Sequence, residues 1–345
     1  MSAISISDEL MTRAMHPRLE FGASLLQERS RNWGRYLLIT APPVWNTVEK
    51  MISRSPAQVL FVNNMDRQEI EQIEKGLPSF DTIVGIGGGM SMDLAKYVAW
   101  KRDLEPVLAP SIASVDACVT NAIAVRDENK VRYIGFVVPQ VVISDFALMR
   151  SAPPELNRAG IGDLLSIHTG RWDWELAGKK GEVVYVPEIG RGALAILDRL
   201  EQMAGEINEV SEAGLQWLIE SYAKENELCL QVGHSRPEEG SEHFFAYNLE
   251  RRTKRSYLHG ELVCLGVVLM SRLQQNDPAR VEGLIRRCGV RYQPRELGLS
   301  RADVEQALLS LYDYTQEEKL FFSIINERTI DETTAQGLCA GLEFL

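Results

Sequence analysis

The stretch DTIVGIGGGMSMDLAKYVAW, Asp81–Trp100, decides the fold. An apolar run holding Ile83, Val84 and Ile86 gives way to Gly87, Gly88 and Gly89, then to an amphipathic segment carrying Asp93 and Lys96. Such a pattern predicts a buried parallel strand that turns sharply into a helix. Glycines let the backbone approach an anion and aim its N–H groups at it, while the helix N-terminus adds partial positive charge. A phosphate or pyrophosphate is the guest that suits this turn. The spacing is neither G-x-G-x-x-G nor a Walker A loop, so a ligand-free Gly-rich turn remains the alternative on this segment alone.

The flanking sequence repeats the theme. Upstream, Arg18–Leu26 reads as a short strand, a Gly turn and a helix, and Tyr36–Thr40 as a strand bounded by a Pro42-Pro43 loop. A helix is expected over Val44–Ile52, a strand over Gln58–Val62 and a helix over Arg67–Lys75. Downstream, Pro106–Val125 reads as a strand running into a loop with Ser111, Ser114, Asp116, Thr120 and Asn121. Asp127–Lys130 looks like the polar turn of a β-hairpin, and Val141–Ser144 like another buried strand. Strands alternating with helices at this spacing indicate βαβ units and a parallel sheet, whose ligands sit beyond the carboxyl ends of the strands. The Pro153-Pro154 pair marks the expected domain boundary, giving an α/β domain over residues 1–154.

Beyond it, residues 155–345 show helical spacing over Leu156–Ala177, Ile189–Gln202, Ser211–Cys229, His243–Tyr257, Gly260–Gln275 and Arg301–Leu311, and strand signals almost vanish. An all-α second domain is expected. Among only five histidines, His243 and His259 stand in Ser241-Glu242-His243 and Leu258-His259-Gly260-Glu261, and Asp163 stands in Ala159-Gly160-Ile161-Gly162-Asp163. One carboxylate and two imidazoles from three helices could hold a divalent metal and leave a position for substrate. On spacing alone, ordinary helix-surface or helix-terminal histidines and an N-cap aspartate are the favoured reading of the same residues. His168 and His234 are second choices as ligands, and His16 reads as a solvated residue near the N-terminus.

Composition bounds the function. At 345 residues with 45% hydrophobic side chains, the chain suits two ordinary cores. A net charge of −11 argues against nucleic acid or an anionic membrane as main partner, while leaving room for a small anionic substrate in a local basic pocket. Five cysteines without a C-x-x-C pair suit a reducing compartment. The first sixteen residues show no basic region ahead of an apolar core, and the apolar run Leu262–Met270 is too short to span a bilayer. A cytoplasmic protein without membrane insertion is expected.

The motifs taken together resemble the metal-dependent (iron-type) alcohol dehydrogenase superfamily, which includes glycerol dehydrogenase, glycerol-1-phosphate dehydrogenase and, more distantly, dehydroquinate synthase. GGGMSMDLAK is similar to its GGG-x-x-x-D-x-x-K signature, and Pro110–Ala117 (PSIASVDA) to the P-T-x-A-S-x-D segment of the glycerol dehydrogenases. AGIGDLLS, WDWELA, SRPEEGSEH and LHGE look most like the glycerol-1-phosphate dehydrogenase branch, and matches run in order from about Gly85 to Lys319. The resemblance implies a Rossmann-like domain and a helical domain with the active site in the cleft between them. It also implies Asp163, His243 and His259 as metal ligands. Gly87, Gly88, Gly89, Asp93 and Lys96 would fall on the pyrophosphate side of NAD or NADP, Ser111 and Ser114 on the nucleotide-facing loop, and Asp116 on the substrate hydroxyls. The metal implied is zinc first, with iron or nickel as alternatives. The partner implied is a small alcohol or carbonyl substrate, phosphorylated or not, turned over by a homo-oligomer.

Departures from the pattern define what stays open. Val115-Asp116-Ala117 stands where relatives of the glycerol phosphate type carry His-Asp-Gly, and Asn63-Asn64 replaces the acidic residue that commonly selects NAD. Glu238-Glu239 is acidic where small residues are usual, and Arg236 reads equally as a phosphate contact or a surface arginine. Two other functions fit the same scaffold: a carbocycle synthase of the dehydroquinate synthase kind, and a non-catalytic binder. Against the synthase, the first metal position is Asp163 rather than Glu, and Asp116-Ala117-Cys118-Val119-Thr120-Asn121 offers no lysine.

Overall fold

The computed structural model describes residues 7–127 and 130–345. The chain divides into two compact units, one ending at Asn157 and including Leu215–Glu227, the other formed by Arg158–Gly214 and Leu228–Leu345.

In the first unit six strands form one sheet: β1 (Leu19–Gly22), β2 (Tyr36–Thr40), β3 (Gln58–Phe61), β4 (Thr82–Gly87), β5 (Val107–Pro110) and β8 (Val141–Asp145). Their order is β1-β8-β5-β4-β2-β3, every neighbour parallel. The strands read as apolar runs because parallel sheets are covered on both faces. Leu38, Val84, Ile86, Val107, Ala109 and Ile143 join one buried core. The glycine turn falls at the carboxyl end of β4, between β2 and β5, where an open α/β sheet presents its ligand site. β6 (Ile123–Asp127) and β7 (Lys130–Ile134) pair antiparallel as a separate ribbon. The turn expected between them rests on Glu128 and Asn129, outside the described residues, as do the first six residues of the N-terminal stretch read for a targeting signal.

The helix expected from Val44 starts two residues earlier, at Pro42. Pro42 and Pro43 occupy its first turn, where a missing N–H costs no hydrogen bond and a fixed φ already suits the helix. A single cut at Pro153-Pro154 does not describe the units, because the middle of the helix Glu212–Val232 joins the first one. Tyr222 Oη donates to Ala113 O at 2.8 Å, and Asn226 Nδ2 reaches Asn121 Oδ1 at 3.2 Å and Ala14 O at 3.3 Å.

The second unit is helical, and no strand follows Asp145 among the described residues. The segment expected as one helix from Leu156 breaks into Pro154–Arg158 and Ile161–Lys180, with Ala159-Gly160 between them. Ser211 caps Glu212–Val232 by accepting from Gly214 N at 3.0 Å. Helices Pro278–Cys288, Leu311–Glu318, Ile324–Glu327 and Glu332–Leu338 escaped the sequence reading, the shorter ones having too few turns to show a period. No helix of the described residues is long and apolar enough to cross a membrane.

Candidate metal centre

Three helices of the second unit meet at their first turns. Asp163 is the third residue of Ile161–Lys180, His243 the third of Ser241–Thr253, and His259 the first of His259–Gln274. The first and last of these helices approach backbone to backbone. A Cβ on Gly162 would lie 2.4 Å from Gly260 Cα, and one on Gly260 would lie 1.9 Å from Ala159 O. Only glycine allows that approach, and it brings Asp163 beside His259.

One ligand atom from each of Asp163, His243 and His259 lies within 4.8 Å of the others. His259 Nε2 is 3.4 Å from Asp163 Oδ1, and the two imidazole centroids are 5.3 Å apart. Asp163 and His243 are buried, while the His259 side chain is 33% exposed, so solvent reaches the cluster at His259. Asp163 Oδ1 is buried without a hydrogen-bond partner. A buried carboxylate oxygen left bare is costly, and a cation held with two imidazoles would satisfy it. The donor set therefore fits a divalent metal.

The electrostatics point the same way. Burial works against a charged His243, but the hydrogen bond and charge of Glu242, helped by Glu239 and Asp163, raise it to about 9. The surroundings thus favour positive charge at this point. Glu242 Oε1 lies 2.9 Å from His243 Nδ1, directly behind the ring. Tyr247 packs on both imidazoles, at 5.8 Å from His243 and 6.5 Å from His259, and its Oη donates to Glu239 Oε1 at 3.1 Å. Sequence reasoning missed Glu242 and Tyr247 as parts of the site. The adjacency Glu242-His243 was the available signal for one, and helical spacing (His243 to Tyr247) for the other.

The second-choice histidines have other work. His168 Nε2 lies 2.6 Å from Asn276 O, while Asn276 Nδ2 donates to His168 O at 3.0 Å. His234 stands edge-on to Trp174, with ring centroids 5.3 Å apart. His16 is exposed after the first helix. Arg236 is not a surface arginine. It is 7% exposed, covers the Phe321 ring at 4.4 Å and donates from Nη1 to Phe322 O at 3.0 Å.

In the first unit, a Cβ on Gly87 would lie 2.3 Å from Ser91 Oγ, so that glycine lets the helix Gly89–Lys101 close onto the strand. Gly88 and Gly89 are partly exposed, and the first N–H groups of a helix have no partner within it. Ser111 and Ser114 are buried after β5, with Ser111 N donating to Gly87 O at 2.8 Å, and Asp116 is partly exposed.

Asp93 and Lys96 depart from the expectation that they face a pyrophosphate. Lys96 is fully buried, and its ammonium meets Asp93 Oδ1 at 2.9 Å, Thr120 O at 3.2 Å and Ala122 O at 2.7 Å. Three acceptors use all three ammonium protons, so none remains for a phosphate. Asp93 Oδ1 also accepts from Ala124 N at 3.2 Å. The pair fastens the segment after Asp116 to the helix that begins at the glycine turn.

A family model described as iron-containing alcohol dehydrogenase matches residues 20–153. Glycerol-1-phosphate dehydrogenase [NAD(P)+] of Hyperthermus butylicus is 32% identical over 270 residues, covering 78% of this chain and 76% of that one. The enzyme of the same name from Sulfolobus acidocaldarius is 29% identical over 311 residues, covering 87% of each. Among solved structures, a probable glycerol dehydrogenase from Sinorhizobium meliloti superposes with a TM-score of 0.69 at 23% identity, covering 93% of this chain and 94% of that one. An iron-containing alcohol dehydrogenase from Corynebacterium glutamicum gives 0.68 at 17% identity, covering 94% of each, and both share the fold.

Proposed function

The chain belongs to the iron-containing alcohol dehydrogenase family, and from that premise we propose that it transfers a hydride between NAD(P) and a small polyol phosphate of the glycerol-1-phosphate/dihydroxyacetone phosphate type. The observation that carries this reading is the cluster of Asp163, His243 and His259, with its bare buried carboxylate oxygen. These three side chains would hold one divalent ion, zinc ahead of iron or nickel. Bound there, the ion supplies Lewis acidity to the substrate oxygen while the nicotinamide gives or accepts the hydride.

The residues of the chain do the rest. Asp163 would contribute the negative charge of the ligand set, and the partly exposed His259 would lie on the side open to substrate. The backbone at Gly88 and Gly89 would receive the pyrophosphate, with Gly87 closing the turn behind it. Asp116 would bind a substrate hydroxyl, and Ser111 and Ser114 shape the loop before it. Asp93 and Lys96 fasten the segment after Asp116, at Thr120, Ala122 and Ala124, to the helix Gly89–Lys101.

The test is a substrate panel on the zinc-loaded protein, read at the nicotinamide absorbance band. Oxidation of NAD(P)H with dihydroxyacetone phosphate, and the reverse reaction with glycerol-1-phosphate, should outrun dihydroxyacetone and glycerol by at least tenfold in kcat/KM. No net nicotinamide turnover with any of the four would overturn the reading.

A further inference from the structure

Glu242 is wholly buried and is not one of the three ligand residues. Both of its oxygens are nevertheless engaged. Oε1 accepts from Gly240 N at 2.6 Å and contacts His243 Nδ1 at 2.9 Å, and Oε2 accepts from Thr169 Oγ1 at 2.7 Å. A buried carboxylate persists only when donors surround it, and this one has two, Gly240 N and Thr169 Oγ1, beside the His243 nitrogen. Thr169 has one hydroxyl proton and two acceptors within reach, Ser166 O at 3.3 Å and Glu242 at 2.7 Å, so the shorter contact is the stronger candidate for it. Thr169 lies on the Asp163 helix and Glu242 on the His243 helix, so the contact ties two of the three elements that carry the cluster.

We infer that Glu242 is the positioning residue of this centre: it holds His243 with the proton on Nδ1 and the ring turned so that Nε2 faces the metal. The inference rests on Asp163, His243 and His259 being metal ligands. A carboxylate has no proton to offer, so an imidazole with a bare Nδ1 would set two acceptors against each other at 2.9 Å. Nδ1 must therefore donate. Rotating the ring would break that bond and aim a carbon at the ion. A carboxylate behind the imidazole also raises its basicity as a ligand.

The experiment measures zinc affinity of the metal-free full-length chain by competition with a chromophoric chelator. Glu242→Gln keeps the shape but removes the charge, and its amide can donate to Nδ1 and move the proton to Nε2. Zinc binding should weaken about 10–100-fold with far-UV circular dichroism unchanged. Thr169→Val, which leaves Glu242 in place with one donor fewer, should weaken it less. Wild-type affinity in Glu242→Gln would overturn the inference while leaving the metal ligands standing. A wild-type chain that binds no zinc would instead remove the reading beneath it. Should Glu242→Gln fail to fold, nitrogen NMR of the zinc-loaded wild type decides. Ligation through Nε2 with a proton on Nδ1 supports the inference, and ligation through Nδ1 overturns it.

Discussion

Asp173 stands in the same buried region, its oxygens accepting from Ser241 N at 2.9 Å and Ile324 N at 2.8 Å. Burial, with the charge of Glu242 adding to it, raises its carboxyl from 3.8 to about 7. Its folded state therefore holds a proton that the unfolded chain has already lost between 3.8 and about 7. Stability must fall as pH rises through that window and level off above it. Urea midpoints of the metal-free protein should drop from pH 5 to pH 8, and Asp173→Asn should flatten that drop; an unchanged slope would contradict the assignment. Site residues were legible in the sequence to different degrees. The motifs singled out Asp163, His243 and His259, because ligand chemistry limits the residue types, and their ligand atoms lie within 4.8 Å of one another. Lys96 was expected on the pyrophosphate side, but a motif lysine beside glycines says nothing about burial, and here Asp93 and two backbone carbonyls complete its shell.

At the scale of elements, the approach of the Asp163 and His259 helices is the feature on which the site depends. Gly260→Ala would set a methyl 1.9 Å from Ala159 O, a backbone atom that cannot swing aside. The helices must separate, at a cost of about 1–3 kcal/mol or more, and the ligand atoms with them. Gly283→Ala, with nothing within 4 Å, should instead stabilise the helix Pro278–Cys288 by about 0.5–1 kcal/mol. Thermal melts of both variants, with zinc affinity for the first, check this. If Gly260→Ala melts and binds like wild type, the close approach is not what holds the centre together. The strands were the most legible elements: β2 spans Tyr36–Thr40 as read, and the other sheet strands differ by a residue or so. Apolar runs between turns leave few alternatives. Short helices of the second unit lacked the turns needed to declare a period, and the prolines before Val44 were taken for a loop because proline reads alike in loops and first turns.

For the molecule as a whole, the proposed chemistry draws on residues of both compact units. The first supplies a glycine turn at the carboxyl end of a parallel strand, and the second a cluster of one carboxylate and two imidazoles. Their division could not be read fully from local pattern. The exchange of Leu215–Glu227 into the first unit depends on Tyr222 and Asn226 finding partners about a hundred residues or more away, which no window along the chain reveals. The central claim is that Asp163, His243 and His259 together hold one catalytic metal. It is tested most directly by equilibrium metal binding of the wild type beside Asp163→Asn, His243→Ala and His259→Ala, each checked for fold by circular dichroism. Wild type should bind one divalent ion per chain, and each variant should lose at least tenfold in affinity and nearly all turnover with its helix content intact. A His259→Ala protein that keeps stoichiometric metal at wild-type affinity and full activity would contradict the account.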